Sequence, residues 1–191
     1  MNREAWLTQL AHNFAPLFLA QGERLELSKI RISVGWPKGA RGSRSGHTIG
    51  QCWSVRASAD GTNEIFISPE LSEPSQVDHV LLHELVHAHV GVEHGHRKPF
   101  GVLARALGME GKLTATSPSE ALREALNAIT SAMPPYPHAA MCTSSQKKQP
   151  TRLLKLCCPD CGYTVRVTQK WVDVGMPICP CGAELALEGK E

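Results

Sequence analysis

Apolar residues recur at helical spacing in two long stretches. In the first, Arg3 to Ala20, they are Trp6, Leu7, Leu10, Phe14, Leu17 and Phe18, which predicts an amphipathic helix. Pro16 lies inside it and predicts a kink or the end of a first segment; Gly22 marks a break. In the second, Leu81, Leu82, Leu85, Val86 and Val90 form one face. That pattern predicts a helix opening at Pro74 or Ser75 and stopped by Gly91. Between the two stretches the period changes to two. Ile30, Ile32 and Val34 alternate with polar neighbours, and His47 to Arg56 and Thr62 to Ser68 read as two further strands. Asp60-Gly61 between the latter pair is a turn signal. The expectation is a three-stranded, mostly antiparallel sheet packed with helices, an α+β fold.

Two shorter helices follow. One covers Pro99 to Leu107 and is closed by Gly108. The other starts at Ser117-Pro118-Ser119-Glu120, with Pro118 in its first turn, and runs to Ala132. Met133-Pro134-Pro135-Tyr136-Pro137 cannot continue it. The next residues are poor in apolar periodicity and rich in Ser, Lys and Gln, as a linker is. The expected organisation is a main domain over 1–137, a linker over 138–152 and a small unit over 153–191. A chain of 191 residues suits one domain with a satellite.

Composition narrows the setting. No apolar run approaches the length of a membrane helix. The N-terminal stretch carries Glu4, Gln9 and His12 and no small-residue cleavage site, so it reads as a helix and not as a signal peptide. The expected location is the cytoplasm, where seven cysteines favour thiols and metal over disulfides. A formal charge of +2 says little about partners, but its distribution says more. Residues 29–56 contain no acid and include Lys38, Arg41 and Arg44; residues 125–159 contain none and include Lys147, Lys148 and Arg152. Such stretches are either solvated surface or a surface that tracks phosphates, which makes these six residues the candidates for nucleic-acid contact.

The chemistry is concentrated in His83-Glu84-Leu85-Val86-His87. Residues four apart on a helix lie nearly above one another, so His83 and His87 can share one Zn²⁺. Glu84 is about 100° further round, where it can reach a water at the metal and act as a base. This is the pattern of a zinc peptidase. A core helix with two satisfied histidines is the competing explanation, but such a helix has little use for two imidazoles and a carboxylate together. The third ligand is open at this point. His89 lies about 240° from His83 on the same helix and faces elsewhere. His94 and His96 sit in a Gly-rich stretch that can fold back. The metzincin spacing would need Gly at position 90 and His at 93, where Val90 and Glu93 stand. Glu120 and Glu124 are the carboxylate candidates.

His83-Glu84-Leu85-Val86-His87-Ala88, followed by Gly95-His96-Arg97-Lys98-Pro99-Phe100, resembles the SprT-like metallopeptidase pattern. The resemblance implies a small zincin-type metallopeptidase core. It implies that His96 joins His83 and His87 as zinc ligand, and that Phe100 packs under the site. Its Spartan-related members are DNA-dependent proteases that degrade proteins crosslinked to DNA. By that resemblance the substrate is protein and DNA is a partner; the lack of a membrane-length apolar run implies no membrane partner.

The tail carries a second metal pattern. Cys158-Pro159-Asp160-Cys161-Gly162 is a zinc knuckle, and Cys179-Pro180-Cys181-Gly182 can supply the other pair. Some forty residues make a poor core alone, so a structural metal has a physical purpose in this expected zinc ribbon. Tyr163 to Thr168 and Trp171-Val172 are its predicted strands. Arg166, Lys170 and Trp171 offer charge and a stacking surface.

The function expected is zinc-dependent hydrolysis of peptide bonds in DNA-associated or DNA-crosslinked proteins, with one catalytic and one structural zinc. Glu84 is the catalytic base, and Tyr136 and His138 are the candidate oxyanion donors. The alternative is a zinc-binding nucleic-acid or transcription accessory protein with an idle hydrolytic site.

Overall fold

The structure, a computed structural model, describes residues 1–37, 48–142 and 153–187. Lys38, Arg41, Arg44, Lys147, Lys148 and Arg152 lie outside the described residues. The fold is α+β, and the chain divides into two compact units, Met1–Cys142 and Thr143–Glu191.

The first unit begins with α1 (Arg3–Leu19), whose Asn2 side chain caps the helix by accepting the Ala5 N–H. Trp6, Leu7, Leu10, Ala11, Phe14 and Phe18 are buried on one face. Pro16 does not end this helix. It sits in the last turn, where few following residues need the straight ladder, and its carbonyl still accepts the Ala20 N–H. Strands β1 (Ile30–Val34), β2 (Gly50–Trp53) and β3 (Asn63–Ile67) form a sheet of order β1-β3-β2. The pairing of β2 with β3 is antiparallel, while β1 runs parallel to β3 with Ile32 opposite Ile65. The sheet is therefore mixed, not mostly antiparallel. Alternation along a strand reports its buried face, not the direction of its neighbour.

Helix α2 (Pro74–Val90) is the centre of the unit and packs against α1, β2 and β3. Val77, Val80, Leu81, Leu82, Leu85 and Val86 are buried, and so are Asp78, Glu84 and His87. Helix α3 (Lys98–Ala106) follows. Next comes a hairpin of β4 (Met109–Lys112) and β5 (Ala115–Pro118), then α4 (Glu120–Ser131), both packed against α2 or its neighbours. This hairpin leaves no signature in the hydrophobic pattern. Its strands are short and largely exposed, and its tip, Leu113-Thr114, lacks the Asn-Gly or Asp-Gly signature. Pro118 consequently ends a strand, and Ser119 is the residue that caps α4 by accepting the Leu122 N–H. Trp6 Nε1 donates to the Pro134 carbonyl at 2.7 Å, tying α1 to the segment after α4.

In the second unit, β6 (Leu154–Cys157) pairs antiparallel with β7 (Thr164–Val167) and with β8 (Ala186–Leu187). Between β7 and β8 lies α5 (Gln169–Val174), so Trp171 and Val172 are helical and not a strand. Leu156, Cys158, Cys179 and Leu185 form its small buried core. Among the described residues no helix is long and apolar enough to cross a membrane.

Candidate metal centre

His83 and His87 project from one side of α2, and the chain then reverses to bring a third imidazole to them. Gly91 caps α2 with φ of 97°, and its N–H donates to the His87 carbonyl. A single turn, Val92–His94, follows, and Gly95 at φ of 51° redirects the chain into His96. Both angles lie in the region that favours glycine. His96 Nε2 stands 3.1 Å from His83 Nε2 and 3.1 Å from His87 Nε2. Phe100 is wholly buried beneath the three rings, its centroid 4.8, 4.3 and 5.1 Å from those of His83, His87 and His96.

This convergence fits a cation better than it fits a hydrogen-bond network. A ring nitrogen offers one in-plane proton or one lone pair, so His96 Nε2 cannot make two good hydrogen bonds at once. Three lone pairs aimed at one ion satisfy all three nitrogens. Zinc–nitrogen bonds of about 2.0–2.1 Å at a tetrahedral angle place their nitrogens about 3.3 Å apart, close to the spacing seen. Protonation is disfavoured as well. Burial, with the neighbouring His87 and His96, pushes His83 down to about 3; burial and His96 push His87 down to about 4. Both rings therefore keep neutral lone pairs at ordinary pH.

Glu84 is buried beside them, and burial raises its carboxyl to about 8, opposed by the Cys52 amide that donates to it. Cys52 is pushed up to about 12 by its own burial and by the Glu84 charge, so its thiol stays neutral. The groups open onto a cleft of roughly 550 Å³. Thr48 to Cys52, along the β2 edge, make one wall, and Thr114 to Thr116 of the hairpin line it too. Neither the hairpin wall nor its Thr116, which hydrogen-bonds His83, was visible in the hydrophobic pattern.

The other sequence candidates lie elsewhere. His94 is exposed and outside the histidine group. His89 faces α1, with Nε2 2.9 Å from Glu23 Oε2 and its ring against Phe18. Glu120 and Glu124 are exposed on α4. Tyr136 is buried against Trp6, and His138 contacts Arg3 and the Pro69 carbonyl; neither lines the cleft.

The second unit gathers Cys158, Cys161, Cys179 and Cys181. Sγ atoms of Cys158 and Cys181 are 3.5 Å apart, as are those of Cys161 and Cys179. Four thiolates on one zinc, with bonds of about 2.3 Å, would stand about 3.8 Å from one another. The Cys161 amide, aided by that of Asp160, holds the Cys158 thiol down to about 7, which favours the ligating thiolate. Cys52, Cys142 and Cys157 stand outside the cluster. Each of the two groups, three histidines and four cysteines, can hold a metal ion, and both suit zinc. No protein-family model matches the chain, and comparisons with curated proteins and with solved structures give no match either.

Proposed function

We propose that the chain is a zinc metallopeptidase of the SprT-like type, with a zincin core in its first unit and a zinc ribbon in its second. The observation that carries the reading is one cleft holding three convergent imidazole nitrogens and a buried carboxylate. His83, His87 and His96 would hold the catalytic zinc; Cys158, Cys161, Cys179 and Cys181 would hold a structural one. When bound in the cleft, zinc supplies Lewis-acid polarisation of a carbonyl and lowers the pKa of a water at its open position.

The chain's own residues do the rest. Glu84 accepts a proton from the attacking water and returns it to the leaving amine. Burial raises the proton affinity of Glu84 in the metal-free site, and a cation held by the three histidines would favour its carboxylate, the form that accepts the proton. Phe100 excludes water from beneath the ligands. Along one wall, β2 is an edge strand of its sheet, so an extended peptide can lie beside it as an added strand. The basic stretches support protein bound or crosslinked to DNA as the substrate class.

The test uses the full chain, an unstructured protein substrate and added DNA. Wild type should cleave, faster with DNA, and Glu84→Gln should keep its zinc and lose cleavage. Cleavage undiminished in Glu84→Gln would remove the peptidase assignment. DNA binding that survives the substitution, with no proteolysis by wild type under any stimulus, would favour an idle site in a nucleic-acid accessory protein.

A further inference from the structure

The β4–β5 hairpin does more than close the cleft. His83 Nδ1 lies 2.8 Å from Thr116 Oγ1, and Met109 Sδ, 3.7 Å from the same oxygen, is available to accept the hydroxyl proton. A hydroxyl that gives its proton to the sulfur presents a lone pair to the ring, and Nδ1 is then the donor. A proton on Nδ1 leaves Nε2 with its lone pair, and Nε2 is the atom that meets His96. By contrast, the buried Nδ1 of His87 has no hydrogen-bond partner among the described residues.

The hairpin itself is held in place. Thr116 stands opposite Gly111 across the two strands. Arg105, in the last turn of α3, donates from Nη1 to the Met109 carbonyl at 2.7 Å and from Nη2 to the Gly111 carbonyl. A β-branched side chain on a clamped strand has little χ1 freedom, so its hydroxyl is aimed before any ion arrives.

We infer that Thr116 is a positioning residue: its hydroxyl locks His83 in the Nδ1–H tautomer and ring orientation that turn Nε2 toward the shared ion. The inference rests on the metal-site reading above. Partners of this kind typically change metal affinity by about 10–100-fold when removed.

The experiment compares wild type, Thr116→Val, Thr116→Ser and His83→Ala as full chains, with Zn²⁺ as the probe. Affinity at the histidine site is read by chelator competition, and the His83 tautomer by ¹⁵N–¹H correlation in zinc-free protein. Thr116→Val keeps the shape and deletes the hydroxyl. It should weaken zinc about 10–100-fold and release His83 into a mixture of tautomers, while Thr116→Ser restores both. Wild-type affinity in Thr116→Val, or an unchanged tautomer, overturns the inference. A loss of affinity matched by an equal loss of metal-free melting temperature in both variants also overturns it, because the role is then merely structural. Failure of the metal reading looks different: wild type would then bind zinc no better than His83→Ala, while the tautomer remained fixed.

Discussion

Gly50 and Glu84 meet where β2 crosses α2, and they leave no room for a side chain. A Cβ on Gly50 would stand 2.6 Å from Glu84 Oε1 and 2.6 Å from Val80 Cγ1. The neighbouring Cys52 amide donates to the same carboxylate. The strand therefore approaches the acid closely enough to aim it, and it does so through backbone alone.

Gly50→Ala should push Glu84 out of its place, because the added methyl would overlap both its carboxylate and the Val80 side chain. On the proposed peptidase reading, hydrolysis of an unstructured protein should fall about 100-fold with zinc retained, and overpacking should cost about 1–3 kcal/mol of stability. Paired measurements of kcat/KM, metal content and urea unfolding check this. Full activity in the alanine variant would mean that Glu84 is not held by this contact.

Burial of Glu84 makes a pH-dependent prediction for the metal-free protein. Its carboxyl moves from an ordinary 4.5 to about 8 on folding, so the fold favours its protonated form. That stabilisation is complete below about 4.5 and is lost as pH rises through about 8. The amide introduced by Glu84→Gln does not titrate and has no such dependence. The substitution should therefore stabilise the metal-free protein relative to wild type at pH 8.5 and not at pH 4.5, by an amount on the order of a few kcal/mol. Denaturant melts at the two pH values read the difference, and a gap that does not change with pH would refute the burial argument.

The histidines give the opposite slope. His83 and His87 fall from 6.5 to about 3 and about 4 on folding. Their neutral forms contribute stability that is intact above about pH 6.5 and is lost as pH falls towards 4. His83→Phe in metal-free protein should flatten that acid limb, as measured by melting temperature against pH.

Arg105→Ala should free the hairpin from α3. The two carbonyls it serves would be left to solvent, and Thr116 would lose its fixed place. Zinc affinity at the histidine site should fall about tenfold, and amide exchange should quicken across residues 109–118. Exchange confined to its wild-type rate would show that the hairpin holds itself.

If each group holds a zinc as proposed, Cys179→Ala in the tail should lower zinc content from two ions per chain to one and abolish the ordered amide signals of residues 153–187. Its small core of Leu156, Leu185 and two cysteines offers little apolar burial of its own, so loss of a bound ion should unfold it. A variant that keeps both ions would exclude Cys179 as a ligand.

Much of this molecule is legible in its sequence. The span of α2, its stop at Gly91 and the side-by-side placement of His83 and His87 follow from local rules, because helix geometry couples residues only four apart. The cysteine pairs were legible for the same reason, each set by a tight turn. Tertiary structure alone decided the rest. Between His94 and His96 the choice depends on how two positive-φ glycines reverse the chain. The parallel partner of β1, the close approach of Gly50 to Glu84 and the Thr116 hydroxyl on His83 all join residues more than thirty positions apart. Contacts at that separation are fixed by packing of the whole core, for which no short stretch of chain carries a periodic signature.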